Sequence, residues 1–196
     1  ANTIVFDKTG TLTYATPTVA EVVPFGGHDE AEMLRLAACL EEHYPHSMAN
    51  AVVAEAKRRG LTHEEYHSQV QYVVAHGISS MVEGKKVLIG SAHFVFEDEG
   101  CRVPEGEQAK FDALPAEYSH LYLCIAGELA AVVCICDPLR KEAADAVRAL
   151  HELGIGKVVM MTGDNRRTAE AVAAEVGVDA VFAEVLPEDK AAFIRR

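Results

Sequence analysis

The residues with the clearest chemical potential stand at the front of the chain. Asp7 directly follows the apolar run Thr3-Ile4-Val5-Phe6 and precedes Lys8-Thr9-Gly10-Thr11. A carboxylate at the carboxyl end of a buried strand stands where open α/β sheets form their sites. Gly10 lets the backbone turn tightly, so that the following N–H groups can hold a phosphate. Such a carboxylate can also act as a nucleophile and form an acyl phosphate. The plainer alternative is an Asx-type turn beginning at Asp7, with Lys8 solvated. A second segment, Thr162-Gly163-Asp164-Asn165, comes straight after the apolar run 157–161 and before a helical pattern. Alone it reads as a strand-to-helix turn with an N-cap, which is compatible with anion binding because helix N-termini favour anions.

These residues need strands and helices to hold them, and the pattern supplies both. Residues 3–6 and 157–161 read as short apolar strands, and 180–183 as another. Residues 140–153 form a helical pattern with Ala143, Val147 and Leu150 on one face, stopped by Gly154. Residues 165–176 form a second, capped by Asp164 or Asn165 and ended by Gly177. Pro187 opens a last helix at a position where proline is tolerated. Strands alternating with helices indicate a parallel sheet covered on both faces. The middle of the chain reads differently. Two helices, 30–42 and 47–59, precede strands at 70–75, 78–82 and 86–89, with Glu83-Gly84 as a hairpin turn. Residues 91–99 look helical, and 105–115 form a polar loop or weak helix. Strands 121–126 and 129–136 flank Gly127-Glu128, a second hairpin signal. This is an α+β pattern.

Composition bounds the rest. The chain has 196 residues, 49% apolar and 24% charged, which is ordinary for a folded soluble protein. The net charge of −12 gives no electrostatic footprint for nucleic acid or an anionic membrane. Residues 21–130 hold 18 acidic against 8 basic side chains, so the acid is concentrated in the middle block. That break suggests a block inserted into an outer one: 1–20 and 134–196 outside, 21–133 inside. The longest clean apolar run, 129–136, is far short of the roughly 18 residues of a membrane helix. The five cysteines have no framework spacing and read as reduced, mostly buried thiols. The missing initiator Met and the immediate strand suggest a piece of something longer.

The heptapeptide Asp7-Lys8-Thr9-Gly10-Thr11-Leu12-Thr13 resembles the phosphorylation signature of P-type ATPases. Those belong to the haloacid-dehalogenase-like superfamily. The resemblance implies a doubly wound parallel sheet, the phosphorylation domain, interrupted by an α+β antiparallel-sheet nucleotide domain. It implies Asp7 as the phosphorylated residue, with Lys8 and Thr9 beside it. Asp137-Pro138-Leu139-Arg140 resembles the hinge segment that returns the chain from the nucleotide domain. Thr162-Gly163-Asp164 resembles the motif whose Thr hydroxyl contacts the transferred phosphoryl group. Lys190, in Leu186-Pro187-Glu188-Asp189-Lys190, resembles the lysine that neutralises the Asp and phosphate charges. A positive charge there has a physical role, since phosphoryl transfer is mostly positioning and charge stabilisation. The cofactor implied is Mg²⁺, on Asp7 and the backbone carbonyl of Thr9, with ATP as substrate.

Residues 37–49 resemble the nucleotide signature of the heavy-metal-transporting, CPx-like subgroup. There a Glu stands five residues before a His-Pro pair. Glu41 and His46 keep that spacing, and Ser47 replaces the Pro. His46 can offer a ring for adenine stacking, and Glu41 can accept from the adenine amine. The alternative is a helix cap at His46 and a solvated Glu41. Ala75-His76-Gly77-Ile78 resembles the subgroup's Gly-x-Gly loop, with Ala75 at the first Gly. There the absent side chains let backbone approach nucleotide. Gly90-Ser91 resembles a strand end in Gly-Asn, with Ser91 for the Asn.

Three patterns mimic other sites. His63-Glu64-Glu65-Tyr66-His67 fits a zinc-protease motif but leaves little room for its helix. Gly84-Lys85 lacks the glycine spacing and the Ser or Thr of a phosphate-binding loop. Cys134-Ile135-Cys136 matches no zinc spacing. The expectation is therefore the cytoplasmic catalytic portion of a heavy-metal-transporting membrane ATPase, monomeric as a piece. Its partners are ATP and the actuator and transmembrane domains of the same polypeptide. Such a piece, lacking further Mg²⁺ carboxylates, is expected to bind nucleotide with little turnover. Two rivals stand beside it. A stand-alone phosphatase of the same superfamily would place a second Asp where Thr9 stands. A non-catalytic nucleotide-sensing module is motivated by Ser47, Ala75 and Ser91.

Overall fold

A computed structural model of the chain describes residues 2–14, 16–42, 47–61, 69–74 and 77–185. Along the chain run β1 (Thr3–Asp7), a wide π-type turn at Lys8–Leu12, β2 (Thr18–Pro24), α1 (Glu30–Glu41) and α2 (Ser47–Arg58). Next come β3 (Gln69–Val74), β4 (Gly77–Val82), β5 (Lys85–Gly90), a second π-type turn at His93–Asp98 and the short α3 (Gln108–Asp112). Last are β6 (Ser119–Ile125), β7 (Glu128–Cys136), α4 (Ala143–Glu152), β8 (Lys157–Met161), α5 (Arg166–Val176) and β9 (Ala180–Phe182). The chain divides into two compact units, Ala1–Thr16 with Asp137–Arg196 and Pro17–Cys136. The sequence-based edges at 20/21 and 133/134 thus move to 16/17 and 136/137. The reason is β2, a strand that periodicity does not reveal. It lies at the sheet edge between Pro17 and Pro24, and a bulge between Val19 and Glu21 breaks its alternation. Every residue of Thr18–Pro24 except the bulged Ala20 pairs with β7, which carries both ends of the segment into the middle unit.

The middle unit is a six-stranded antiparallel sheet in the order β2-β7-β6-β5-β4-β3. Alternate residues serve opposite faces, as the strand period of two requires. Val87, Ile89, Leu121, Leu123, Val133 and Ile135 meet Leu34, Leu40 and Val52 of α1 and α2. Leu88, Tyr122, Cys124, Val132 and Cys134 meet Phe25, Phe94, Val95 and Leu114 on the other face. Asp29 caps α1, its side chain accepting from Glu32 N–H at 3.0 Å. Glu55 pairs with Arg58 and Arg59, and Arg59 also reaches Glu30, which joins the start of α1 to the end of α2. All five cysteines are free, and four are buried. The Cys101 and Cys124 thiols share a hydrogen bond, and burial pushes both pKa values up. They are core sulfurs, held protonated.

The outer unit holds a parallel sheet in the order β1-β8-β9. Val158 and Met160 of β8 join Ala143 and Val147 of α4 and Val172 and Val176 of α5 in one cluster. Both described helices contribute to that cluster. Val159 and Met161, on the alternate face of β8, are buried as well. Asn165, and not Asp164, caps α5, accepting from Thr168 N–H at 2.9 Å. The helix expected after Pro187 lies outside the described residues. No helix among them is long and apolar enough to cross a membrane.

The β6–β7 turn is Ala126-Gly127, since Ile125 pairs with Glu128, one residue earlier than the sequence signal. Both turn residues have positive φ, 51° at Ala126 and 83° at Gly127, as a type I′ hairpin demands. Alanine carries a left-handed penalty of about 1–2 kcal/mol there, larger than the extra chain entropy glycine loses, roughly 0.5–1 kcal/mol. Ala126→Gly is expected to stabilise the middle unit by about 0.5–1 kcal/mol in urea unfolding, without changing the m-value.

Candidate functional site

The outer site is built by one register. Asp7, the last residue of β1, lies opposite Met161, the last residue of β8. Because the pair is parallel, the chain leaving each strand departs at the same end of the sheet. Lys8 and Thr162 are therefore neighbours in space although 154 positions apart. The loop after β8 is held by its own backbone. Thr162 N–H donates to Phe182 C=O at 3.0 Å, and Val185 N–H donates back to Thr162 C=O at 3.0 Å. The Thr162 hydroxyl accepts from Asp164 N–H at 3.1 Å. Thr162 is buried.

Lys8 turns inward. It is 3% exposed, and its Nζ donates to Asp164 Oδ2 at 2.5 Å. The solvated Lys8 of the plainer sequence alternative does not occur. A charge-assisted bond between the buried Lys8 and the partly buried Asp164 draws the turn after β1 to the turn after β8. Asp7 is half-buried, and its Oδ1 is sealed from solvent. Thr9 follows in the π-type turn Lys8–Leu12, which Leu12 anchors in the core of the unit.

The segment 137–140 is knit to residues 12–14. Arg140 N–H donates to Leu12 C=O at 2.9 Å, and Tyr14 N–H to Pro138 C=O at 3.1 Å. Arg140 Nε donates to Thr13 C=O at 3.1 Å. The two chain crossings between the units are thus paired with each other. Asp137 brings a third carboxyl toward Lys8 and Asp164. Burial raises its pKa, Asp164 adds to that, and Lys8 and a Thr13 hydrogen bond oppose it. Its Oδ1 is buried with no hydrogen-bond partner among the described residues.

In the middle unit, Glu41 is the last residue of α1 and is 2% exposed. A buried carboxyl at the negative end of a helix opposes the helix dipole. Its placement therefore serves something other than helix stability. With Glu42, Asn50, Val53, Ala54 and Lys57 it lines a cleft of about 350 Å³. Gly77 and Gly90 face each other across β4 and β5. Ser91 accepts from Phe94 N–H through its hydroxyl at 3.3 Å, so its side chain caps the turn at His93–Asp98. Ser47 opens α2. His46, Ala75 and Lys190 lie outside the described residues, as does the zinc-like motif at 63–67. Gly84-Lys85 sits in the β4–β5 hairpin. Among the described residues no three His, Cys, Asp or Glu side chains form a metal-holding group. Sequence reasoning missed Asp137 as a member of the charged cluster and missed Phe94 altogether.

A family model for haloacid dehalogenase-like hydrolases matches residues 1–196. The chain is 41% identical to Copper-transporting ATPase 2 of Rhizobium meliloti (strain 1021), over 100% of this chain and 23% of that protein. It is 38% identical to the Copper-exporting P-type ATPase of Bacillus subtilis (strain 168), over 100% of this chain and 24% of that protein. Among solved structures it resembles the catalytic domain of the CPx-ATPase CopB-B, studied upon nucleotide binding. There the TM-score is 0.72 and the identity 25%, covering 99% of this chain and 65% of that one. The chain thus spans about a quarter of the length of the curated relatives it matches.

The Asp137 carboxyl gives this cluster a pH signature. Its folded pKa lies above the ordinary 3.8, so the folded unit binds the proton more tightly than the unfolded chain. Stability from this group is then greatest below 3.8 and declines as pH rises through the folded pKa. Asp137→Asn is expected to stabilise the outer unit at neutral pH and to remove that decline. Urea midpoints measured across pH 3–7, taken as a roughly four-unit window around the carboxylate range, check it.

Proposed function

The chain belongs to the haloacid dehalogenase-like hydrolase family, and from that premise we propose that it is the ATP-binding and phosphorylation portion of a heavy-metal-transporting P-type ATPase. The observation that carries the reading is the meeting of Asp7, Thr162 and the Lys8–Asp164 pair at one end of β1 and β8. ATP binds the middle unit, with Glu41 accepting from the adenine amine and His46 stacking on the ring. The resemblance assigns Gly77, Gly90, Ser91 and Ala75 to the same nucleotide site. An Asp7 carboxylate oxygen attacks the γ-phosphorus in line. The bond from that phosphorus to the bridging oxygen breaks, and ADP departs. The product is an aspartyl phosphate.

The surrounding residues have distinct tasks. The Thr162 hydroxyl and Lys190 ammonium meet the charge on the transferred group. Lys8, committed to Asp164, holds the two turns in register and offsets part of the negative charge around Asp7. Gly163 leaves the approach to the phosphoryl group open. Thr9 stands where a phosphatase of this family needs a second carboxylate, so that position offers no general base to water. The acyl phosphate should therefore persist, which suits coupling to transport and argues against a stand-alone phosphatase.

The oxygen-only donor set at the outer site suits Mg²⁺, which binds through one or two carboxylates and otherwise through waters and phosphate oxygens. Asp7 and the backbone carbonyl of Thr9 would hold it. When bound it neutralises charge on the phosphoryl oxygens. The parent protein would place this portion on the cytoplasmic side of a membrane and add actuator and transmembrane domains. The transported cation is a soft metal ion, copper or a chemical relative, judged by what the named relatives carry.

Nucleotide titration of the isotope-labelled chain tests the binding step. ATP is expected to shift amide signals at Glu41, Gly77 and Gly90, with Glu41→Ala weakening the effect by roughly tenfold, the worth of one good hydrogen bond to a charged group. No shifts at millimolar ATP would sink the reading.

A further inference from the structure

Gly77 enters the nucleotide reading as a position where a missing side chain admits the ligand. The packing around it gives the missing side chain another cause. A Cβ built on Gly77 would lie 2.0 Å from Phe94 Cδ1, 2.4 Å from Cε1 and 2.6 Å from Cγ. No real Cβ tolerates such distances, and the obstacle is a ring that is itself 1% exposed. Gly77 is not in the left-handed region, so backbone conformation does not demand glycine there. The ring demands it.

The direction of that contact matters. Ile78, the next residue of β4, points into the cluster beneath α1 and α2. Strand alternation therefore turns the Gly77 side-chain position to the opposite face, where Phe94 packs with Leu88, Tyr122 and Val132. Glu41 belongs to α1, on the Ile78 face. A nucleotide held by Glu41 approaches the sheet from the side away from the Gly77 side-chain position.

Phe94 is fixed independently. Its N–H donates to the Ser91 hydroxyl at 3.3 Å, and Val95 N–H donates to Ser91 C=O at 3.0 Å. Its own carbonyl accepts from Glu99 N–H at 3.0 Å. Ser91 follows Gly90, and Gly90 pairs with Gly77. Ser91, Phe94, Gly77 and Gly90 thus form a closed circuit: hydroxyl to turn, turn to ring, ring to β4, β4 to β5.

We infer that Phe94 is a positioning residue of the nucleotide site, which sets the start of β4 and the end of β5 through ring contact with Gly77. Glycine at 77 is required by that ring and not by the ligand. This rests on the nucleotide reading above. Ser91 takes part as the cap that seats the ring, not as a ligand to the base.

The test is a rescue experiment on the full chain, read by ATP affinity and by thermal unfolding. Gly77→Ala is expected to weaken ATP binding roughly tenfold or more and to lower the melting temperature, as overpacking does. In a Phe94→Ala background the same Gly77→Ala change should cost little further in either quantity. A roughly tenfold or greater further loss of ATP affinity when Gly77→Ala is added to Phe94→Ala, with no further fall in melting temperature, would show that the ligand needs the glycine and would overturn the inference. Phe94→Leu, which keeps the cluster filled, covers the case in which Phe94→Ala fails to fold. It should weaken ATP binding several-fold and shift the Gly77 and Gly90 amides while leaving the fold intact. Unchanged affinity in Phe94→Leu would likewise overturn it. Absence of ATP binding by the unsubstituted chain would instead defeat the nucleotide reading itself.

Discussion

Asp7 lies opposite Met161 across a parallel strand pair, and the chemistry of the outer unit depends on that register. A slip of one residue would send every side chain of β1 to the other face. Phe6 would leave the core cluster, and Asp7 would move away from Thr162. The register is secured from both sides. Below it, apolar residues of β8 pack against α4 and α5. Above it, the Lys8–Asp164 pair ties the two departing turns. Removing Asp164 would leave the buried Lys8 ammonium without its hydrogen-bonded partner, which is destabilising. The site and the strand pairing therefore stabilise each other.

Charge is handled locally. The chain carries −12 overall, yet both proposed partners of its chemistry, ATP and the phosphoryl group, are anions. No broad positive field draws them in. At the outer site the lysine that reaches Asp164 is buried, and Asp137 sits close enough for its pKa to feel both. That cluster is net negative before substrate arrives. A hard divalent cation and a second lysine would make it hospitable to phosphate, which is the physical case for Mg²⁺ and Lys190.

Much of this was legible in the sequence, and the reasons are specific. The parallel strands read clearly because β8 is an unbroken apolar run closed by Thr-Gly-Asp. The two hairpins read from Glu83-Gly84 and from the Gly127 signal, although the second turn sits one residue earlier, with Ala126 accepting a positive φ. β2 stayed hidden because a bulge destroyed its alternation. Lys8 looked ambiguous because burial of a lysine depends on a partner 156 positions away, which no local pattern announces. Gly77 illustrates the opposite hazard. Its motif position invited a ligand-based explanation, while the ring that requires it lies 17 residues on in a turn without a pattern of its own.

Phosphoryl transfer to Asp7 is the central step of the proposed reaction. Its most direct test is labelling of the full-length protein with γ-radiolabelled ATP and Mg²⁺, followed by acid quench and hydroxylamine treatment. The label should be acid-stable, released by hydroxylamine as acyl phosphates are, and absent in Asp7→Asn. A hydroxylamine-resistant label, or ATP turnover that survives Asp7→Asn, would contradict it.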